Sequence, residues 1–176
     1  EQKDWNVKRE IASKTIDNYP LSIIHYQLKN MFGICNLSIV PLRFEPSDRS
    51  EIVSQVLFGE HFEIIDTHNQ WSKIRLQFDN YEGWVDSKQY QIISEENYKL
   101  LSKEAIILNA DLVEYISTPT NVLIPISLGA SLAFLNHADI NLQNYEFEGL
   151  RISGVKPKSN LVSTAYMYLN SPYLWG

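Results

Sequence analysis

The chain has 176 residues, a hydrophobic content of 44%, one cysteine and a formal net charge of −6. This length fits one domain or two small ones, and the apolar content is enough for a core. The acidic balance disfavours a nucleic-acid partner, because such proteins usually carry a basic surface. No apolar run approaches the roughly 18 residues that a membrane span needs. The sequence therefore predicts a soluble globular protein without a nucleic-acid or membrane partner.

Residues 1–30 are the least informative part of the chain. A short amphipathic helix is predicted for 4–15, and a second apolar patch at 21–28 fits either a helix or a strand. Met31 then stands directly before the first strand pattern. Two interpretations stay open: Met31 is a native start preceded by foreign residues, or residues 1–30 are a genuine N-terminal extension. The chain as given does not open with the charged and apolar pattern of a secretion signal.

Short strands separated by Pro, Gly and polar turns are predicted from residue 32 to residue 93. The predicted strands are 32–40, 52–58, 62–66, 71–78 and 81–85. A loop is predicted at 43–51, because this segment is too polar for a strand. Trp71 and Trp84 are the large side chains expected to close such a barrel by packing.

The single cysteine, Cys35, excludes an internal disulfide framework and any multi-cysteine metal site. It lies in the alternating pattern of the first predicted strand, which indicates a small core residue. A catalytic role would need a histidine close in space, and none of the four histidines has a recognisable Cys-His context. The histidines are also too scattered to predict a metal site, so no metal or other cofactor is expected.

A helix is predicted for 95–103, because Ser94 is a capping residue and is followed by early acids and late lysines. It connects the barrel to a second set of strands, predicted at 105–108, 112–117, 122–127, 131–135 and 145–152. Residues 159–169 carry apolar side chains at helical spacing after capping residues, which predicts a last helix.

The order of four features in residues 40–85 is distinctive. An Arg-x-x-Pro-Ser turn begins at Arg43, a Gly-Glu pair ends at Glu60, Trp71 starts a strand, and a Gly-Trp pair ends at Trp84. In this order the features resemble the bacterial SH3 (SH3b) domain, over roughly a third of the chain. Arg43 is expected to pair with an acid of its own loop rather than with a ligand.

The second half of the chain weakly repeats the first. Placing Gly129 on Gly59 makes apolar residues coincide at four neighbouring positions and sets 148–150 roughly on 82–84. Such repetition indicates a duplicated module. The fold is therefore predicted to be mainly β, with two small SH3-like barrels joined by short helices. The second copy lacks the Glu after the Gly and both Trp residues, so it is expected to support the first rather than to bind.

The end of the chain, Pro-Tyr-Leu-Trp-Gly at 172–176, is similar to the segment that opens the catalytic domain of NlpC/P60 cysteine peptidases. With two SH3b modules and a linker helix before it, the layout resembles γ-D-glutamyl-L-diamino acid endopeptidases, which cut murein peptides. The family's nucleophilic Cys and catalytic His are absent from this chain, so no residue here is predicted to be catalytic. The chain is expected to stop just before the catalytic domain and to be inert alone.

The predicted division of the chain follows from this resemblance. It comprises an N-terminal extension (1–30), a first SH3b domain (31–94), a linker helix (95–104), a second, degenerate SH3b domain (105–156), and a linker helix with the start of a missing catalytic domain (157–176).

Five residues are predicted to bind substrate, four of them because the resemblance implies it. Tyr173 would help hold the substrate carbonyl oxygen, and Trp175 would shape the same pocket. Glu60 and Tyr81 would accept hydrogen bonds from the free amine of an N-terminal L-Ala. Trp84 is the fifth, because the first copy has it and the second lacks it. Alternatives stay open: Glu60 as an ordinary exposed turn acid, and Tyr81 and Trp84 as packing residues.

The implied function is substrate gating or targeting in a murein-peptide endopeptidase. The expected partner is a murein peptide of the N-terminal L-Ala-γ-D-Glu type, bound together with a catalytic domain. The bacterial cytoplasm is the expected location, with the periplasm or cell wall as the alternative. Two further hypotheses are a stand-alone SH3b module that binds a cell-wall peptide or protein, and a structural protein whose barrels only pack on each other.

Overall fold

Seven strands between residues 31 and 93 form one antiparallel sheet in the computed structural model, which describes residues 31–137 and 144–172. The sheet order is β3-β2-β6-β5-β4-β1-β7. Side chains from β2 to β6 share one apolar core, so the sheet wraps around it. The chain is mainly β, as predicted. The strands are β1 (Met31–Ile34), β2 (Ile39–Arg43), β3 (Ile52–Leu57), β4 (His61–His68), β5 (Trp71–Leu76), β6 (Glu82–Asp86) and β7 (Gln91–Ile93).

The prediction of one strand at 32–40 is wrong, because the chain turns between β1 and β2. Cys35 lies in this turn and is fully buried, and its thiol donates to the carbonyl oxygen of Leu37 at 3.3 Å. Burial raises the pKa of the Cys35 thiol to about 12, so the thiol is a packing group and not a nucleophile. Arg43 holds the following loop by donating from Nη1 to the Ser50 carbonyl oxygen at 2.8 Å, and not through an ion pair with an acid described in that loop.

After Ile93, the described residues form a helix followed by five short strands. Helix α1 (Glu95–Leu101) is capped by Ser94, whose side chain accepts a hydrogen bond from the Asn97 N–H at 3.1 Å. The helix is confirmed, although it ends two residues before the predicted end. The strands are β8 (Ile107–Asn109), β9 (Val113–Ser117), β10 (Leu123–Ser127), β11 (Glu146–Phe147) and β12 (Arg151–Ser153).

Two strand predictions in this part are wrong. Residues 131–135 form only one bridge, and Ala133–Asn136 is a 3-10 helix, because three consecutive side chains from Leu132 to Phe134 are buried and a strand cannot bury neighbours on one face. The strand predicted at 145–152 is two strands. It breaks at Leu150, whose N–H donates to Asp111 Oδ2 at 2.7 Å instead of to a neighbouring strand.

The backbone turn after β3 is repeated after β10. The N–H of Gly59 donates to the Cys35 carbonyl at 2.8 Å, and the N–H of Gly129 donates to the Asn109 carbonyl at 3.0 Å. The return bonds, from the N–H of Cys35 and of Asn109 to the residue after each glycine, are both 2.9 Å. Both glycines have positive φ, +77° and +88°. The alignment of Gly129 with Gly59 in the sequence therefore corresponds to the same backbone turn in the structure.

Strand pairing extends this repeat and corrects one part of it. In the first copy, β2 pairs with β3 and β6, and β1 pairs with β7. The second copy repeats this arrangement, because β9 pairs with β10 and β11, and β8 pairs with β12. Trp84 lies opposite Arg43 in the first copy, and Glu146 lies opposite the matching Ser117 in the second. The sequence placement of 148–150 on 82–84 is therefore wrong, because Glu146 is the counterpart of Trp84.

The two copies meet through a shared apolar cluster, distinct from the core of the first barrel. Phe58 and Phe134 contact edge to face, with ring centroids 5.5 Å apart, and Leu101 of α1 is buried in the same cluster. The Ser131 N–H donates to the Phe58 carbonyl oxygen at 2.8 Å. The two repeated turns are thus in direct contact at the junction, together with the end of α1.

The last described helix, α2 (Ser159–Met167), has no buried side chain. It ends two residues before the predicted end at residue 169. Within residues 31–137 and 144–172, no helix is both long and apolar enough to cross a membrane.

Candidate functional site

A cavity of about 500 Å³ opens at the junction of the first barrel, the end of α1 and the second copy. This volume lies in the range of small-molecule sites, and most of its lining is apolar, as such sites usually are. Among the residues that the structure describes, no lysine or arginine lines it. Its polar lining residues are Glu60, His61, Gln77, Ser102, Glu104 and Ser131.

Glu60 reaches this junction cavity from the turn between β3 and β4. Its Oε2 accepts a hydrogen bond from the N–H of Leu57 at 2.7 Å, and this bond connects the end of β3 to the turn before β4. The side chain is half-buried, unlike that of an ordinary exposed turn acid. No described residue donates a hydrogen bond to Oε1. One carboxylate oxygen thus holds the turn, and the other has no hydrogen-bond donor among the described residues.

The charge of Glu60 is not balanced by the described residues. Burial raises the pKa of its carboxyl above the usual value, although the bond from the Leu57 N–H acts against this, and the Asp79 carboxylate raises it further. No ion pair to Glu60 occurs among residues 31–137 and 144–172. A carboxylate that has lost water and has gained no cation is costly, so a bound cation would be stabilised here.

His61, the next residue, is a neutral hydrogen-bond donor in the cavity wall. Burial lowers the pKa of its imidazole to about 4. The Ser102 hydroxyl donates its one proton to the Tyr98 carbonyl oxygen at 2.7 Å, so His61 Nε2, 3.2 Å from Ser102 Oγ, must donate to it. This network assigns the proton to Nε2 and leaves the ring without a charge to neutralise Glu60.

Glu104 is the second acid in the lining. Its Oε1 lies 3.0 Å from Nε2 of His137, although the angle at this contact is not that of a hydrogen bond. Within the described part of the chain, no group of three or more His, Cys, Asp or Glu side chains could hold a metal ion.

Comparison with protein families places the Glu60 turn in a known module. Residues 42–89 match the family described as the bacterial dipeptidyl-peptidase SH3 domain. This segment is of the bacterial SH3 type. The match includes β3 to β6 and the Glu60 turn, but neither α1 nor the second copy. No curated protein matches the chain.

The fold is similar to the crystal structure of an NlpC/P60 family protein from Bacillus cereus, with a TM-score of 0.62 and 15% sequence identity. The match covers 82% of this chain and 65% of that chain, so this chain spans less than two thirds of the other protein's length. At this identity the similarity shows a shared fold. It extends beyond residues 42–89, since it covers most of this chain.

The structure does not bring the predicted site residues of the SH3 segment together in one cavity. Tyr81 is 43% exposed and does not line the junction cavity. Trp84 lies between two buried neighbours, Gly83 and Val85, so its side chain is on the outer face of β6. The prediction that Trp84 closes the barrel is therefore wrong, whereas Trp71 is buried as predicted. Tyr173 and Trp175 lie outside the described residues.

Several lining residues were not predicted from the sequence. Gln77, Ser102 and Ile106 come from a strand end, a helix end and a connecting segment, and only the packing of the two copies brings them to one place. The sequence contained one usable signal, the repeat of Gly59 at Gly129. A repeat of the turn implied two similar surfaces, but not that these surfaces would face each other.

Proposed function

We propose that this chain is the substrate-gating or targeting SH3b pair of a bacterial murein-peptide endopeptidase, whose catalytic domain lies elsewhere in the parent protein. The two modules would be residues 31–94 and 105–156. The parent would cleave bonds between γ-D-Glu and a diamino acid during muropeptide recycling or turnover. The SH3-type match and the similarity to an NlpC/P60 structure support this proposal.

The observation that carries the proposal is the half-buried, unbalanced carboxylate of Glu60 in an otherwise apolar cavity. The free N-terminal amine of a peptide is an ammonium group at neutral pH, and a charge-assisted hydrogen bond to a carboxylate is stronger than a neutral one. The small methyl group of an N-terminal L-Ala would lie against the apolar lining. A blocked amine has no charge and would gain none of this energy.

The other predicted residues would contact parts of the peptide farther from its amine. Tyr81 and Trp84 lie outside the cavity on the SH3 segment, and Tyr173 and Trp175 would act at the boundary with the catalytic domain. The bacterial cytoplasm is the proposed location, because short murein peptides are recycled there.

The test uses Glu60→Gln, which removes the charge but keeps an oxygen that can accept the Leu57 N–H. Affinity for L-alaninamide should fall roughly ten- to a hundred-fold, equivalent to about 1.5–3 kcal/mol for one lost charged contact. Calorimetric or NMR titration at neutral pH measures the loss, and thermal melting checks that the turn is intact.

Glu51→Gln is the matched control, because Glu51 is an exposed acid in the loop after β2 and does not line the cavity. It should bind L-alaninamide as the wild type does. If Glu60→Gln and Glu51→Gln both retain wild-type affinity, Glu60 is only a turn staple and the proposal fails.

A second candidate is a stand-alone module that binds an amine-bearing cell-wall peptide. The observation in its favour is that this chain itself supplies the residues that line the cavity. Both candidates predict the Glu60 effect. They are separated by assaying the parent protein for cleavage of L-Ala-γ-D-Glu-diamino acid peptides, since only the first candidate predicts hydrolysis.

A further inference from the structure

Helix α2 carries an apolar stripe that the described part of the chain leaves uncovered. The stripe consists of Leu161, Val162, Ala165 and Tyr166, which recur at helical spacing and lie on one side of the helix. Leu161 is 74% exposed and Tyr166 is 67% exposed. A helix of this length is marginal in water without tertiary packing, and an apolar stripe normally faces a core. We therefore expect the stripe to pack against the surface of another molecule.

The outer face of the β9–β10–β11 sheet is a second uncovered apolar surface. Val113 and Tyr115 on β9, and Leu123 and Pro125 on β10, are exposed on this face. They form one patch, because Tyr115 lies directly opposite Pro125. β10 is an edge strand, and Pro125 has no N–H to donate to a further strand, which disfavours edge-to-edge pairing. The surface open to a partner is therefore the face of the sheet.

The two surfaces lie in segments of opposite charge. Residues 104–148 contain six Asp or Glu residues and no Lys or Arg, whereas residues 149–176 contain three Lys or Arg residues and no Asp or Glu. Glu146 is exposed on β11, in register with the outer face of the sheet. Lys156 and Lys158 are exposed just before α2 and have no ion pair among the described residues. The helix segment thus complements the sheet in charge as well as in apolar surface.

We propose that two copies of this chain form a two-fold dimer, in which α2 of each copy packs on the outer face of the three-stranded sheet of the other copy. Within a single chain α2 buries none of its side chains, so its own sheet does not cover it. A two-fold dimer forms the same contact twice. Each contact then needs only half of the roughly 1,200–2,000 Å² that specific interfaces bury.

This interface does not depend on the amine site, because neither surface contributes a residue to the junction cavity. It gives the second copy a binding role of its own. The apolar stripe and the sheet face would supply most of the affinity, and the lysines before α2 would lie near the acidic rim of the sheet.

Analytical ultracentrifugation of the 176-residue chain tests the proposal, and the wild type should be dimeric at about 0.1 mM. Leu161→Asp on the helix and Leu123→Asp on the sheet each place a charge in both contacts. Each variant should raise the dimer dissociation constant at least about a hundred-fold, because a buried leucine is lost twice. Asn160→Asp is the matched control, because it adds the same charge to the opposite side of α2 and should dimerise as the wild type does. Melting curves verify the fold of every variant.

Mixing the two variants tests which surfaces meet. In a mixed dimer, the intact helix of the Leu123→Asp chain faces the intact sheet of the Leu161→Asp chain, so one of the two contacts is restored. The mixture should therefore contain dimer at concentrations where each variant alone is monomeric. Sedimentation velocity with one variant fluorescently labelled detects this mixed species.

Three results would overturn the proposal. The first is a wild-type chain that stays monomeric at about 0.1 mM. The second is wild-type dimerisation by either variant alone, since Leu123→Asp would dimerise if helices met helices, and Leu161→Asp if sheets met sheets. The third is a mixture that contains no more dimer than its two components.

Discussion

Replacing Gly59 by Ala should weaken the contact between the first barrel and the second copy. Gly59 has φ +77°, a conformation that an L-residue rarely adopts, and a Cβ on it would overlap the carbonyl oxygen of Ser131. The N–H of this same serine donates to the Phe58 carbonyl at 2.8 Å. The added methyl group must therefore move the two turns apart and break this bond.

Gly129→Ala is the control that isolates the junction. Gly129 has φ +88°, but a Cβ there would meet only Leu57 Cδ1, at an ordinary 3.5 Å. Both substitutions incur the left-handed strain of about 1–2 kcal/mol. Gly59→Ala also loses the Ser131 bond, a further ~1 kcal/mol, and crowds Phe134, to which the Cβ would approach within 3.2 Å. We expect a loss of about 3 kcal/mol or more for Gly59→Ala and about half of that for Gly129→Ala.

Urea denaturation followed by circular dichroism measures both losses at one pH. The two variants should differ in the free energy of unfolding by more than 1 kcal/mol, with Gly59→Ala the less stable. Equal destabilisation of Gly59→Ala and Gly129→Ala would refute this account, because it would mean that backbone strain alone causes the loss and that contact between the two turns adds nothing to stability.

Two further predictions concern buried polar groups. The pKa of His61 is about 4 in the folded chain and 6.5 in the unfolded chain. This difference contributes roughly 3 kcal/mol to the free energy of unfolding at neutral pH, and the contribution is lost as the pH falls from 6.5 to 4. His61→Gln keeps a hydrogen-bond donor for Ser102 but has no group that titrates in this range. In urea denaturation at pH 6.5 and pH 4, it should lose less unfolding free energy than the wild type. Equal losses in the two proteins would show that His61 is not the group responsible. Asn109 is fully buried and bonds three backbone groups of Asp111 and Ser127, so Asn109→Ala should cost about 2–4 kcal/mol. Cys35 is the residue that corresponds to Asn109 in the first of the two repeated turns. Cys35→Ala loses only a weak thiol hydrogen bond and should cost about 1 kcal/mol. If thermal melts show equal costs for the two variants, the Asn109 hydrogen bonds do not stabilise the second turn as proposed.

Local patterns predicted most of the first barrel, because its strands alternate apolar and polar residues and are separated by Gly, Asn and Pro turns. They failed where burial did not follow this alternation. The turn at Cys35 is apolar and buried, so it resembled a continuous strand. The strand prediction at 131–135 was wrong for the same reason, because consecutive apolar residues there form a 3-10 helix that packs against Phe58.

The candidate site could be predicted only in part. Glu60 was identified from its place after Gly59 in a family-like order, and the structure places it in the junction cavity. The cavity itself depends on contacts between residues far apart in sequence, such as Ser131 with Phe58, which no local pattern encodes. The role given to Trp84 in the barrel failed because a one-residue alternation decides which face of a strand a side chain occupies.

The central claim, that the cavity binds an ammonium group at Glu60, is tested most directly by comparing two ligands on the unmodified chain. NMR titration with L-alaninamide should shift the backbone amide signals of Glu60, His61 and Gln77. N-acetyl-L-alaninamide, which has the same side chain but no charge, should leave those signals in place at equal concentration. Equal shifts from both ligands, or shifts confined to other parts of the chain, would contradict the claim.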